Sequence, residues 1–502
     1  MHIIYLASEL LSVAKVGGLG DVTFGLSHAL VQKGNLVEVI LPFYDHIDRN
    51  RLQNLKIDCD NLISHENKGN HKNRVWSAQI NEIPILLIES QNDYFKRGVI
   101  YGEEDDDLRF VCFTYIAMEY LLHTHKNPKI LHLHDWHTAL AAPLYYGKYK
   151  ALGLNIGRIV MTMHNTKYQG VCDPKLLSQI EFDLKSPPLQ DGLQDCKKSN
   201  KINLLKGGVL YSDALTTVSP SYAEEIKGKE GYGLEQLFRK KKDFIGILNG
   251  IDTQYWNPKT DPLLKRNYPI QPISFNKIYA AKRANRIALN NILKTNYDLA
   301  TPLFACITRL VHQKAPELIH FGLEHIIKQG GQCILLASTP QQKVKKLFSF
   351  LADKYRGNPH LFCHFVFDER LAHLAFASSD CILIPSLFEP CGLTQMIAMR
   401  YGTIPIVHKV GGLKDTVFDI DHSEYPLNQR NGYTFDSPSN KDLQRAIDRA
   451  FEHYYNDQKK WRSMLTNGLS RDWSWEFPSM KYLELYRKIS QHNTLSRQRL
   501  DK

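Results

Sequence analysis

The strongest constraint on this chain is a series of short, unbroken apolar runs, each about five residues long and each ended by polar or glycine punctuation. HIIYLA, LVEVILPFY, IPILLIE, ILHLHD, RIVMTMHN and ALTTVS form a first series, and LFACITR, QCILLAS, HFVF, CILIPS and TIPIVH a second. Runs without polar alternation read as strands buried on both faces, the signature of a mostly parallel sheet covered by helices. Amphipathic stretches lie between them, such as DVTFGLSHALVQKG, APELIHFGLEHIIKQG and RLAHLAFASS. Near Trp256 the alternation breaks into NPKTDPLLKRNYPIQPISFNK, which carries four prolines and no clear period. This stretch is expected to connect two domains. The fold class is therefore α/β, with two similar αβα sandwiches and a crevice between them, ligands binding beyond the carboxyl ends of the strands. The domains are expected at 1–257 and 258–474, with a late helix, 475–502, joined to the first.

A chain of 502 residues, 43% hydrophobic and 23% charged, can bury a large core without metals or disulfides. Nine cysteines, an odd number with no Cys-x-x-Cys, fit a reducing cytosol. The net charge of +11 has no long basic block behind it. The densest run, Arg239–Lys242, reads as an exposed helix end or loop, so no nucleic acid or membrane partner is expected. MHIIYLASEL has no cation ahead of its apolar run and reaches a glycine loop by Gly17, and no apolar run reaches 18 residues. The expectation is a cytoplasmic protein with neither presequence nor membrane span.

Five segments could carry chemistry. Lys15-Val16-Gly17-Gly18-Leu19-Gly20-Asp21 joins the first strand to the first helix. It is either a tight turn or an anion site built from free N–H groups, a helix N-terminus and the Lys15 ammonium. It is neither a Walker A loop nor a G-x-G-x-x-G fingerprint. His132-Leu133-His134-Asp135-Trp136-His137 suggests metal, but side chains alternate along a strand and need not converge. A polar strand tip facing a cleft, with Asp135 as its carboxylate, is the alternative. His164 ends another strand, in either a structural or a functional role. Arg309 and Lys314, five residues apart, suit a diphosphate or are two solvated cations. In Ser386–Thr394 a buried strand leads to Glu389, and Gly392-Leu393-Thr394 then opens a helix. A sugar diphosphate needs that pair: a carboxylate for sugar hydroxyls and a helix start for phosphate. Cys391, with no base in its motif, reads as a small cleft-lining residue.

The motifs KVGGLGD, HLHDWH, MHN, TTVSPSYAEEI, ILNGID, TRLVHQK, FEPCGLTQMIAMRYGTIPIV and GGLKDTV, in order from residue 1 to about 490, resemble the bacterial glycogen synthases and plant starch synthases. The resemblance implies the GT-B fold, two Rossmann-like domains facing a cleft, and retaining transfer of glucose from ADP-glucose to an α-1,4-glucan. It implies that Lys15 and Gly18 contact the donor phosphates and that Asp21, Tyr101, Asp135, His164 and Asn249 line the glucose and acceptor side. It further implies that Arg309 and Lys314 neutralise the departing diphosphate, that Glu389 holds glucose hydroxyls, and that the Gly392–Thr394 backbone, beside Cys391, grips the distal phosphate. No metal and no pyridoxal phosphate are implied. Lys15 and Glu389 would then line one crevice. Three positions depart from the family pattern: Ala315 stands where Gly is usual, Ser338-Thr339-Pro340 replaces a glycine-rich turn, and Pro478 interrupts the start of the final helix. The alternatives are a UDP-glucose-dependent glucan synthase or a phosphorylase on the same fold, a metal-dependent transferase using Asp419-Ile420-Asp421, and a non-catalytic glucan-binding relative.

Overall fold

A computed structural model describes residues 1–66, 69–182, 187–338, 342–358, 360–366 and 368–491. The chain divides into two compact units, Met1–Gly250 with Trp475–Lys502, and Ile251–Ser474.

The first unit holds, among the described residues, a nine-stranded sheet. Its strands are β1 (His2–Leu6), β2 (Leu36–Pro42), β3 (Gln53–Glu66), β4 (Gly69–Ile80), β5 (Ile83–Glu89), β6 (Ile130–His134), β7 (Arg158–Met163), β8 (Ala214–Thr217) and β9 (Phe244–Gly246). The order across the sheet is β9-β8-β7-β6-β1-β2-β5-β4-β3. The seven strands from β9 to β5 run parallel, and β4 and β3 continue antiparallel. All six apolar runs read from the sequence are parallel strands here, because their side chains are buried on both faces. The long β3–β4 ribbon escaped that reading. NHKNRVWSAQI is polar on one face and buried on the other, so it has no continuous apolar run. The final helix, Glu476–Gln491, belongs to this unit, and Tyr486 Oη lies 2.7 Å from His132 Nδ1. Pro478 does not interrupt the helix. It stands in the first turn, where an N–H would have no intrahelical acceptor. Residues 492–502 of the expected helix lie outside the described residues.

The second unit carries a six-stranded parallel sheet among the described residues: β10 (Leu303–Arg309), β11 (Gln332–Ser338), β12 (Leu361–His364), β13 (Cys381–Ile384), β14 (Ile404–His408) and β15 (Tyr433–Phe435), in the order β12-β11-β10-β13-β14-β15. The third strand falls on Leu361–His364 rather than on HFVF, whose last residue, Phe367, lies outside the described residues. The segment after Trp256 is no free connection. It is packed into this unit, where the buried Asp261 accepts from Tyr401 Oη at 2.6 Å and lies 2.7 Å from His373 Nδ1. Among the described residues no helix is long and apolar enough to cross a membrane.

Candidate functional site

In a parallel sheet the side chains that can meet a ligand are those just past the carboxyl ends of the strands. The natural crevice opens where successive strands begin to be added in the opposite direction. In the second unit this reversal lies between β10 and β13, since chain order across the sheet is third, second, first, fourth, fifth, sixth. Arg309 is the last residue of β10, and the loop of Glu389 follows β13. Two candidates far apart in sequence are thereby neighbours. The Lys314 ammonium is ion-paired with the Glu389 carboxylate, which also accepts from Ser386 Oγ at 2.8 Å. Gln313 fastens the two loops together: its carbonyl accepts from Leu387 N at 2.8 Å and its side-chain amide donates to the Phe388 carbonyl at 3.1 Å. Glu389 is buried, Lys314 is half-buried and Arg309 is exposed.

Ala315, the departure from glycine, sits at φ 52° and ψ 65°. A left-handed backbone explains why a residue without Cβ suits this turn; alanine bears the strain and fills core space in return. Ser338 ends β11, and Thr339 and Pro340 lie outside the described residues. Beyond Glu389, Cys391 is buried and Gly392 has φ 72°. The helix that Leu393 caps runs from Thr394 to Arg400. Gln395 holds this turn shut by donating to the Gly392 carbonyl at 2.8 Å and the Cys391 carbonyl at 3.2 Å. Gly412 N donates to the Glu389 carbonyl at 2.9 Å, and a Cβ on Gly412 would lie 2.0 Å from the Cys391 carbonyl oxygen.

The first unit reverses between β1 and β6. The glycine loop follows β1 and Asp135 follows β6. Lys15 pairs with Asp21 at 2.7 Å, so its ammonium is already matched by a carboxylate. Burial raises the Asp21 carboxyl, with Lys15 pulling the other way. The loop's N–H groups are not all free, as the sequence suggested. Val16 and Gly17 donate to one oxygen of Glu9, at 2.6 and 2.8 Å. What remains for an anion is the start of the helix Gly18–Gln32, whose first amides have no acceptor within the helix. Sequence reading passed over Glu9. It is 3% exposed and also accepts from Tyr101 Oη at 2.9 Å, so it ties Tyr101 to the glycine loop. An acidic residue between an apolar strand and a glycine loop was the available signal.

Asp135 has φ 57° and ψ −175°, a strained conformation for a residue with a side chain. Its carboxylate accepts the backbone N–H of His164 at 2.6 Å. Burial pushes its carboxyl up to about 7, opposed by the N–H groups of His164 and Asn165 and reinforced by Glu9. His164 is brought against the histidine run: its Nε2 lies 3.0 Å from His134 Nδ1, and the His132 and His134 rings stack at 4.4 Å. Alternation along β6 sends these two rings to the same side, and His137 turns away to Tyr101, 4.8 Å between ring centroids. Burial lowers His164 to about 3, as it does His132 and His137, so these imidazoles are neutral near pH 7. Asn249, just beyond β9, is 4% exposed, and among the described residues its Oδ1 has no hydrogen-bond partner.

The Asp419-Ile420-Asp421 pair is committed elsewhere. Arg449 bridges both carboxylates at 2.8–2.9 Å, and Lys460 reaches Asp421 at 2.9 Å. His422 offers a third ligand atom nearby, but the two acids already have their cations. In the basic run, Arg239 and Lys240 form an exposed helix end as expected, but Lys241 does not stay in solvent. Its ammonium donates to the carbonyls of Val209 and Ser212, capping the helix Leu204–Tyr211, and burial lowers it to about 8.

Residues 2–240 match the family described as Starch synthase catalytic domain, and residues 291–466 match Glycosyl transferases group 1. The glycogen synthase of Protochlamydia amoebophila is 42% identical over 500 residues, covering 98% of this chain and 100% of its own. The probable starch synthase 4 of Arabidopsis thaliana is 41% identical over 493 residues, covering 97% of this chain and 47% of that longer protein. Among solved structures, the catalytic domain of Starch Synthase IV from Arabidopsis thaliana bound to ADP and acarbose superposes with a TM-score of 0.93 at 40% identity, over 98% of this chain and 99% of that one. The chain belongs to the family of bacterial glycogen synthases and plant starch synthases, glycosyltransferases of the GT-B fold.

Proposed function

We propose that the chain transfers glucose from ADP-glucose to the non-reducing end of an α-1,4-glucan with retention of configuration. The observation that carries this reading is the Lys314–Glu389 ion pair at the strand-order reversal of the second unit, where the exposed Arg309 ends β10. A departing diphosphate needs fixed positive charge, and the sugar it leaves needs a carboxylate near the carbon where positive charge develops. Arg309 and Lys314 supply the first and Glu389 the second. The backbone from Cys391 through Gly392 and Leu393 to Thr394 takes the distal phosphate. Lys15 and Gly18 serve the donor phosphates, while Asp21, Tyr101, Asp135, His164 and Asn249 serve glucose and the incoming glucan. In the transfer the bond from the anomeric carbon to the diphosphate oxygen breaks. The acceptor O4 bonds to that carbon on the same face, and its proton leaves with ADP.

ADP as the nucleotide is supported by the ADP held by the related Arabidopsis catalytic domain. The glucan acceptor is supported by the glycogen synthases to which the chain is similar. The chemistry needs no pyridoxal phosphate and no metal, because the cations above do the work a divalent ion would do, and the enzyme acts in the cytoplasm. Chain extension measured with ADP-glucose and UDP-glucose in parallel tests the reading, before and after long dialysis against EDTA. Extension from ADP-glucose that survives dialysis is expected. A preference for UDP-glucose would overturn the donor, and a loss restored by magnesium or manganese would overturn the account of the leaving group.

A further inference from the structure

The second unit has a cavity of about 270 Å³ away from the loops described above. Its wall includes Asp380, which immediately precedes β13, and Leu299, shortly before β10. It therefore opens at the amino ends of the strands, whereas Arg309 stands at, and Glu389 past, their carboxyl ends.

The charges around this cavity are unequal. Lys282, Arg283 and Arg286 lie on one helix, Phe275–Leu293, and Asp380 is the acid among the lining residues. Arg286 is committed to structure. It pairs with Asp380 at 2.6 Å and donates to the carbonyls of Ser378, Asp298 and Thr301. That bridge cancels Asp380 and leaves Lys282 and Arg283 as surplus positive charge. Lys282 is 5% exposed and donates to the Tyr401 carbonyl at 3.2 Å and Thr403 Oγ1 at 3.1 Å. An ammonium has three N–H groups, so one remains. Arg283 is exposed and has no ion-pair partner among the described residues. Burying an ammonium is costly, and burial lowers Lys282 to about 7, with Asp380 pulling the other way and Arg286 adding to the lowering. Around the cations stand the phenols of Tyr279 and Tyr454 and the amide of Gln458, with the Trp461 ring beside them. The Arg462 guanidinium adds a further cation close to the Tyr279 phenol.

We propose that this cavity is a binding site for a small phosphate monoester, its phosphate held by Lys282 and Arg283 and its carbon skeleton lying against the aromatic rings. A phosphate fits because its several acceptor oxygens can take the remaining Lys282 N–H and the Arg283 guanidinium together, and the cavity admits a compact molecule. The inference does not depend on the proposed glucosyl transfer.

Isothermal titration of the full chain with glycerol 3-phosphate and with inorganic phosphate, at fixed ionic strength and with glycerol as the uncharged control, tests it. Two variants separate this cavity from the loops at the carboxyl ends of the strands. Arg283→Ala is expected to weaken glycerol 3-phosphate about tenfold or more, since a charge-assisted contact is lost. Arg309→Ala is expected to leave this binding unchanged. Glycerol should not bind, and inorganic phosphate should bind more weakly than the ester. Because Arg283 is exposed, its replacement should not disturb folding, which an unchanged thermal transition of the unliganded variant would verify. Binding that persists in Arg283→Ala, binding lost instead in Arg309→Ala, or no binding by the unaltered chain would each overturn the proposal.

Discussion

Glu389 accepts from both Lys314 and Ser386, so its carboxylate is held before any substrate arrives. Glu389→Gln keeps its shape and most of its hydrogen bonding but loses the charge. If Glu389 stabilises charge that develops only during transfer, kcat should fall about 10²–10³-fold while donor affinity changes little. Steady-state kinetics with a parallel donor-binding measurement checks this, and near-normal turnover would remove Glu389 from the chemistry. Asp135 makes a different prediction, about pH. Its carboxyl is raised to about 7 in the fold by burial, against about 4 in an unfolded chain. The folded state therefore holds the proton more tightly. Stability from this group is fully present below pH about 4 and is lost as pH rises to about 7, a loss on the order of 4 kcal/mol. Asp135→Asn can still accept the His164 N–H, so it should gain stability relative to the unaltered protein as pH rises through that window. Denaturant unfolding of both proteins at about pH 3.5 and about pH 8, either side of that window, would show it; a difference independent of pH would contradict the assignment.

At the scale of elements, the Glu389 loop is held by a contact that no motif displays. Gly412 opens so close to the Cys391 carbonyl that a methyl group cannot fit without moving backbone, and its N–H anchors the Glu389 carbonyl. Gly412→Ala should therefore lower kcat/KM by about tenfold or more, since small displacements of reacting groups are costly. The thermal transition of the variant should remain cooperative, and full activity would show that the loop tolerates the shift. What the sequence made legible follows the same division. Strands buried on both faces announce themselves as apolar runs, so β1, β2, β5, β6, β7 and β8 could be read directly. The β3–β4 ribbon could not, because a one-sided strand mixes polar with apolar residues. Likewise Glu389, Arg309 and Lys314 could be picked out as charges at strand ends. The Lys314–Glu389 pairing could not, because it depends on β10 and β13 being neighbours in the sheet although 71 residues separate the last residue of one from the first of the other. Glu9 was missed for a related reason: a lone carboxylate shows its purpose only when the loop folds back to donate to it.

At the scale of the molecule, both units obey one rule. Each sheet reverses its strand order once among the parallel strands, and the charged candidates of each unit follow the two strands at that reversal. In the first unit these are Lys15 and Asp21 after β1 and Asp135 after β6, and in the second Arg309 at the end of β10, Lys314 after it, and Glu389 after β13. The functional reading asks both sets to serve a single reaction, glucosyl transfer from a nucleotide sugar with retention. The most direct test follows that reaction by proton NMR, with the full chain, ADP-glucose and a short α-1,4-glucan. The account predicts growth of the α-1,4 anomeric signal matched one for one by ADP release, with no free glucose. A β-linked product, or release of ADP and free glucose without extension of the glucan, would contradict it.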